Sequence, residues 1–271
     1  VIEIVGGDEA ARLLLDYAGP KTARGGMAFL RELAGTLSRF PYENISKIIR
    51  LSASGDPGRA LRMPLEVVSE HIDKGFGGTC FSLTFLLERV LVSLGFDAFK
   101  VMAHMSSGRN VHCLVVVREA GERYLIDPGY ALYEVIRLPD ARVRVRCPHA
   151  EVEVAKTGQE RFDLWTTDST GRKWRYAFED RPVSEGDFER HWIGSFTRPT
   201  LNNICLTRMT PRGHVYLRKD FFKFTSPEGI AKRKVKQGIE RLIEEEFGIG
   251  SEFTRTAQEI LARRREGTWL R

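Results

Sequence analysis

The chain has 271 residues and a formal net charge of +6, from 42 Lys and Arg against 36 Asp and Glu, with 42% hydrophobic residues. That composition excludes a disordered, collagenous or coiled-coil chain, and the length provides for one large domain or two to three small packed ones. No stretch approaches the roughly 18 consecutive apolar residues of a membrane helix, and the opening VIEIVGGDEA lacks the basic-then-apolar order of a secretory leader, so a cytoplasmic protein with no membrane partner is expected.

The first 95 residues read mainly as helix. DEAARLLLDYAG starts at an Asp8 N-cap signal and stops at Gly19-Pro20, GGMAFLRELAGTLSRF places Met27, Leu30, Leu33 and Leu37 at helical spacing, and PLEVVSEHI covers 64–72. TCFSLTFLLERVLVSLG, opened near Thr79 and closed by Gly95, is apolar on nearly all sides, as a buried helix is. After Gly95 the period changes to 2. DAFKVMAHM, VHCLVVV, RYLIDPG, YEVIRL, RVRVR and VEVAK are short, β-branched and separated by turn formers, which describes an antiparallel meander or small barrel. WTTDSTGRKWRYAF adds a hairpin around Thr170-Gly171, and HVYLRKDFFKF another strand pair. From Ser226 to about Phe247 the pattern reads as helix, with a last helix over 252–266. Helices, then sheet, then sheet with helices is an α+β plan.

The charge excess is local. Residues 1–205 hold 27 basic and 27 acidic side chains, and the last 66 residues hold 15 against 9, in RKDFFKF, KRKVK and ARRRE. Glu240 and Glu244–Glu246 interleave with them, so a solvated helix face accounts for much of it. An anionic small molecule or an acidic carrier protein is the other reading. Nucleic acid is not expected as a partner, because the basic residues lack interleaved aromatics on a recognised platform.

Four cysteines (Cys80, Cys113, Cys147, Cys205) are too sparse for a disulfide scaffold, and no C-x-x-C or H-E-x-x-H spacing suggests a metal site. Cys80 differs from the rest because it follows Gly77-Gly78-Thr79 and opens an apolar helix. The glycines allow close approach, Thr79 suits an N-cap, and first-turn amides with the helix dipole favour a thiolate. Cys113 follows His112 and is expected on the opposite face of its strand. Trp165 and Trp174 are expected to pack the barrel, and the histidines other than His112 have no evident carboxylate partner.

A base for Cys80 is found in VHCLVVVREAGERYLIDPG. With a two-residue turn at Ala120-Gly121, residue i faces residue 241−i, which puts His112 opposite Gly129 and Asp127 on the same face, diagonally within reach. His112 would then take the Cys80 proton, Asp127 would fix its tautomer, and Cys80 would attack a thioester or amide carbonyl, with amides at the helix start holding the oxyanion. At this level hydrolysis and transfer remain equally open.

RFPYENISKI (39–48), GGTCFSLTFLLERVLVSLGF (77–96), and VHCLVVV followed by RYLIDPGY resemble, in order and spacing, the arylamine N-acetyltransferase family. HWIGSFTRPTLNNICLTRMTPRGHVYLRKDFFKF (191–224) is more loosely similar. The resemblance implies a helical bundle over 1–97, a β-barrel over 98–198 and a basic α/β lid over 199–271, with a transglutaminase-like triad of Cys80, His112 and Asp127. It implies ping-pong transfer of an acetyl or other acyl group from acetyl-CoA or another acyl-CoA to a small-molecule amine such as an arylamine or hydrazine, without a metal. Gly78 and Thr79 before the nucleophile, with Gly129 and Tyr130 after the Asp, would line the substrate and CoA pocket. An amide synthase fed by an acyl carrier protein and a transglutaminase-like cysteine hydrolase keep the same triad. Two departures stand out. Phe76 occupies the position of the family's Arg, leaving Glu43 without its ion-pair partner unless Lys74 substitutes, and Ala131 stands where a second glycine is expected.

Overall fold

Helical spacing in the first third of the chain folds as α1 (Gly7–Ala18), α2 (Gly26–Leu37), α3 (Ile45–Ser54), α4 (Pro64–Lys74) and α5 (Cys80–Ser93), with a two-residue strand, β1 (Tyr42–Glu43), between α2 and α3. The computed structural model describes residues 6–37, 39–130, 132–147, 149–210 and 212–266. Helix α5 is buried around its first three turns, with Leu83, Leu86, Leu87, Val90 and Leu91 shielded from solvent, and Val92 near its end exposed. Asp8 is not the cap of α1. Gly6, in the left-handed region at φ 98, holds that position, and the Asp8 carboxylate lies in the first turn, accepting from the Ser93 hydroxyl. Helix α3 went unpredicted, although Ile45, Ile48 and Leu51 form a buried stripe along it.

The period-2 region folds as β2 (Asp97–Met105), β3 (Gly108–Glu119), β4 (Glu122–Asp127), β5 (Leu132–Arg137), β6 (Arg142–Cys147), β7 (Ala150–Lys156), β8 (Arg161–Asp168) and β9 (Gly171–Glu179). They form one antiparallel sheet in the order β5-β4-β3-β2-β9-β8-β7-β6, and its edge strands are consecutive in the chain, so the sheet curls into a nearly closed barrel. Alternation along β3 separates two cores. Leu114 and Val116 point into the barrel with Val101, Leu125, Phe162 and Phe178, whereas Val115 and Val117 pack on the helices. The β3–β4 register is the predicted one, with Val115 facing Ile126 and Glu119 facing Glu122. Ala120 and Gly121 take φ 51 and 78, as a tight hairpin turn between right-twisted strands demands.

After the barrel come α6 (Glu185–Gly194), capped by the Ser184 hydroxyl accepting from the Asp187 amide, then β10 (Cys205–Thr210), β11 (Gly213–Arg218), β12 (Phe221–Ser226), β13 (Gly229–Lys234), α7 (Ile239–Phe247) and α8 (Ser251–Arg265). The helix expected from Ser226 is corrected here. Residues 229–234 are a strand, and helix begins only after Gly238, whose φ of 69 breaks the run. Lys232, Arg233 and Lys234 are exposed on this edge strand, where charge discourages pairing with another chain. Strands β10 to β13 form a second sheet that β1 completes, in the order β1-β10-β11-β12-β13, and α8 packs on α3. The last block is therefore built onto the first. No helix among the described residues is long and apolar enough to cross a membrane.

Two segments that stand apart in sequence meet at β1. The Gly78 amide donates to the Pro41 carbonyl at 3.1 Å, and the Glu43 amide to the Gly78 carbonyl at 3.0 Å. A Cβ on Gly77 would lie 1.8 Å from the Pro41 carbonyl oxygen, so only glycine fits there. Glu43 is fully buried. Its partner is neither Phe76 nor Lys74, which pairs with Glu70 at the surface (3.4 Å), but Arg62, whose Nη1 lies 3.7 Å from the carboxylate. The same guanidinium donates to the Gly77 carbonyl at 2.6 Å, the Ser46 hydroxyl at 3.0 Å and the Glu70 carboxylate at 2.8 Å. Burial pushes the Glu43 carboxyl up, opposed by the Arg62 charge and by hydrogen bonds from Ser46. Removing the cation leaves a buried carboxylate alone, so Arg62→Met is expected to lower unfolding stability by about 3–5 kcal/mol, with part recovered in Arg62→Met/Glu43→Gln, measured by denaturant unfolding.

Candidate active site

Cys80 is the first residue of α5, 7% exposed, at the floor of a cavity of about 1000 Å³ between the helical block, the barrel and the second sheet. Thr79 occupies the N-cap position in extended conformation, but its hydroxyl makes no capping bond. It is buried without a partner and lines the cavity. Gly78 does not line the cavity, since its amide and carbonyl are both spent on β1. The first amides of α5, at Cys80 and Phe81, have no intrahelical acceptor and face the same end, which suits a developing oxyanion.

The partners of Cys80 come from the β3–β4 hairpin. His112 Nε2 lies 2.7 Å from an Asp127 carboxylate oxygen, with the aspartate wholly buried. The second oxygen of Asp127 accepts from the Tyr130 amide at 2.9 Å, so the carboxylate is held from both sides. Pro128–Tyr130 leave the strand as a turn of 3-10 helix and carry Gly129 across the mouth of Cys80. A Cβ there would stand 2.5 Å from the Cys80 Cβ and 3.2 Å from His112 Cε1, so any larger residue would push nucleophile and base apart. Tyr130 lines the cavity, its ring edge-on to the imidazole with centroids 6.3 Å apart. Ala131 lies outside the described residues.

Electrostatics follow the geometry. Burial works against a charged imidazole, but the charge and hydrogen bond of Asp127, with further help from Cys80, raise His112 from 6.5 to about 10. Cys80 is held well below the ordinary thiol value of 9.0 by a hydrogen bond from the Cys113 thiol, then, against desolvation, by the hydrogen bond and charge of His112 and the charge of Lys47. Both shifts favour a thiolate–imidazolium pair at rest. Two of its contributors escaped sequence reading. Cys113 does leave β3 on the face opposite His112, but α5 crosses that face and brings the two thiols together. Lys47, 6% exposed on α3, donates to the Ser195 hydroxyl, and burial lowers it to about 7, with the Cys80 charge opposing.

Elsewhere in the cavity His149 and His214 stack at 4.7 Å, and burial depresses them to about 4 and about 3. Five cationic side chains (Lys47, Arg175, Arg198, Arg218, Lys223) line it against one carboxylate, Asp168. Among the described residues of the basic C-terminal block, Arg218 and Lys223 take part, while KRKVK and the Arg263–Arg265 run lie outside. Trp165 and Trp174 do not fill the barrel. They pair across β8 and β9 on its outer face, half-buried, with Arg172 stacked over Trp165 at 3.8 Å. Among the described residues no three His, Cys, Asp or Glu side chains gather as a metal ion needs.

Comparison with known proteins bears on this arrangement. The sequence model of a family described as N-acetyltransferase matches residues 27–256. Arylamine N-acetyltransferase 2 of Rattus norvegicus is 28% identical over 103 residues, 34% of this chain and 36% of that protein, so the match spans about a third of the curated relative. Among solved structures, the arylamine N-acetyltransferase from Mycobacterium abscessus superposes with a TM-score of 0.80 at 20% identity, covering 94% of this chain and 96% of that one. The arylamine N-acetyltransferase from Salmonella typhimurium gives 0.76 at 18%, covering 93% and 98%.

The pH dependence of the pair is testable. The rate of Cys80 alkylation by iodoacetamide is expected to titrate well below pH 9, and Cys113→Ala or His112→Gln to move the midpoint upward, because each substitution removes a stabiliser of the thiolate. An unmoved midpoint in Cys113→Ala rejects its role. Because His112 is raised above 6.5, its pairing stabilises the fold fully below that pH and is lost as pH rises through about 10, which thermal unfolding against pH reads directly.

Proposed function

This chain belongs to the arylamine N-acetyltransferase family, and from that premise we propose that it transfers an acetyl or related acyl group from acyl-CoA to a small-molecule amine through an acyl-Cys80 intermediate. The observation that carries this reading is a cysteine at a helix start, its thiolate favoured by an aspartate-held imidazole, lining a cavity of about 1000 Å³.

The chemistry runs in two halves. The Cys80 thiolate attacks the thioester carbonyl, and the oxyanion faces the unpaired amides at the start of α5. As the tetrahedral species collapses, the C–S bond to CoA breaks and His112 gives its proton to the departing thiolate, leaving a neutral imidazole and a thioester on Cys80. The amine then attacks that thioester, His112 removes its proton, and Cys80 leaves as thiolate, restoring the imidazolium. Asp127 holds Nε2 throughout and leaves the other ring nitrogen to serve both halves.

The cationic lining is suited to a phosphate-bearing donor, and the walls at Tyr42, Phe81, Tyr130 and Tyr216 to a planar ring on an arylamine or hydrazine acceptor. A reducing, cytoplasmic setting suits an enzyme whose nucleophile must stay a free thiol. Incubation with acetyl-CoA without acceptor, followed by intact mass measurement, is expected to give one acetyl adduct that is absent in Cys80→Ala and discharged by an aromatic amine. An adduct formed only from an acyl carrier protein thioester would move the donor to that class, and bond cleavage with water alone would make the enzyme a hydrolase.

A further inference from the structure

Lys47 is a buried amine with no carboxylate partner among the described residues, lowered by burial to about 7. It lies 6% exposed on α3, donates to the neutral Ser195 hydroxyl, and sits 4.0 Å over the Phe196 ring. Among the described residues no carboxylate pairs with it, nor with Arg198, whose guanidinium donates to the Asn110 carbonyl at 3.3 Å. Both face the cavity that holds Cys80, and the two cations are close enough to repel. The cavity's one carboxylate, Asp168, is engaged by Thr170 and by Lys223 at 3.8 Å.

Burial against neutral groups disfavours the charged form of a lysine, so Lys47 takes up its full charge only when an anion stands beside it. The Cys80 thiolate offsets part of that penalty in the resting enzyme, but it is shared with the His112 imidazolium. Once the sulfur is acylated it carries no charge at all. In the acyl-enzyme, which is the form that meets the acceptor, Lys47 and Arg198 therefore have no anion unless a substrate brings one. Thr79, 7% exposed, lines the same cavity, with its hydroxyl oxygen buried and unpartnered.

We propose that Lys47 and Arg198 form a carboxylate subsite beside Cys80, so that one of the two substrates carries a carboxylate close to its reacting group. The inference rests on acyl transfer through Cys80 and narrows its substrate class. The carboxylate enters either on the acyl group, as in a short dicarboxylic mono-thioester, or on the amine, as in an aminobenzoate. In both cases it accepts charge-assisted hydrogen bonds from the ammonium and the guanidinium.

Two arms separate these sources. In the first, acylation of Cys80 without acceptor is followed by intact mass for malonyl-CoA and succinyl-CoA against acetyl-CoA and butyryl-CoA. In the second, the acetyl-enzyme is discharged with 4-aminobenzoate or its methyl ester. Wild-type protein is expected to favour the charged member in one arm, with Lys47→Met reducing that charged-over-neutral ratio about tenfold or more, as expected for losing a hydrogen bond to a charged group. Arg198→Gln, at a half-exposed site that tolerates change, is expected to reduce the same ratio should Lys47→Met fold poorly. No charged preference in either arm overturns the subsite, as does a Lys47→Met protein that slows charged and neutral substrates equally, since Lys47 would then act on the thiolate alone. Formation of the acetyl adduct keeps the two questions apart: its absence sinks acyl transfer itself, whereas its presence without charged preference sinks only the subsite.

Discussion

A carboxylate that never meets water sets the chemistry of this molecule. Asp127, wholly buried and bonded to His112 Nε2 and the Tyr130 amide, keeps a proton on the imidazole far above its ordinary range, and the imidazolium in turn helps to keep Cys80 ionised. The three residues come from a helix start and two antiparallel strands, so their mutual position is set by how α5 crosses β3. Gly129 sets the last tolerance, because the chain passes the sulfur at a distance where no side chain fits. The hairpin thus supplies base, orienting acid and spacer within 18 residues.

The Pro41–Asn44 segment does for the other half of the cavity what the hairpin does for the triad. Tyr42 forms a wall, Glu43 binds Arg62, and Asn44 clamps the chain entering β10: its amide donates to the carbonyls of Thr200 and Asn203, and its oxygen accepts from the Cys205 amide at 2.8 Å. Arg62 shows how a charge requirement is met from elsewhere. A guanidinium just before α4 reaches both the buried carboxylate and the Gly77 carbonyl, and Phe76 is left to pack against Phe253.

What could be read from the sequence was local. The hairpin register followed from one turn and strict alternation, and the nucleophile from glycines ahead of an apolar helix. Strand β2 keeps its predicted bounds because Gly95 and the turn at Ser106-Ser107 punctuate it. The unreadable features depend on partners distant in the chain. Lys47 on an amphipathic helix looks like a solvent-facing lysine until Ser195 and Phe196, nearly 150 residues later, enclose it. Cys113 obeys alternation, and only the crossing of α5 turns its outward face toward Cys80. Strand β13 carries so many charges that helical spacing with the following glutamates outweighed its pairing, which β12 alone reveals.

The seam at β1 has a consequence for how the protein is made. Tyr42 and Glu43 find their sheet neighbours at Thr207 and Leu206, so one wall of the cavity stays unbuilt until residues 205–210 have left the ribosome. A nascent chain exposing the first two hundred residues would already hold nucleophile, base and orienting acid, yet would lack β10 with its bond to Asn44 and α8 with its packing on α3, and so bear its thiol in a more open trough. Pairing across so long a loop is entropically slow. Synthesis order therefore places the nucleophile, base and orienting acid in the chain before the sheet that walls their cavity.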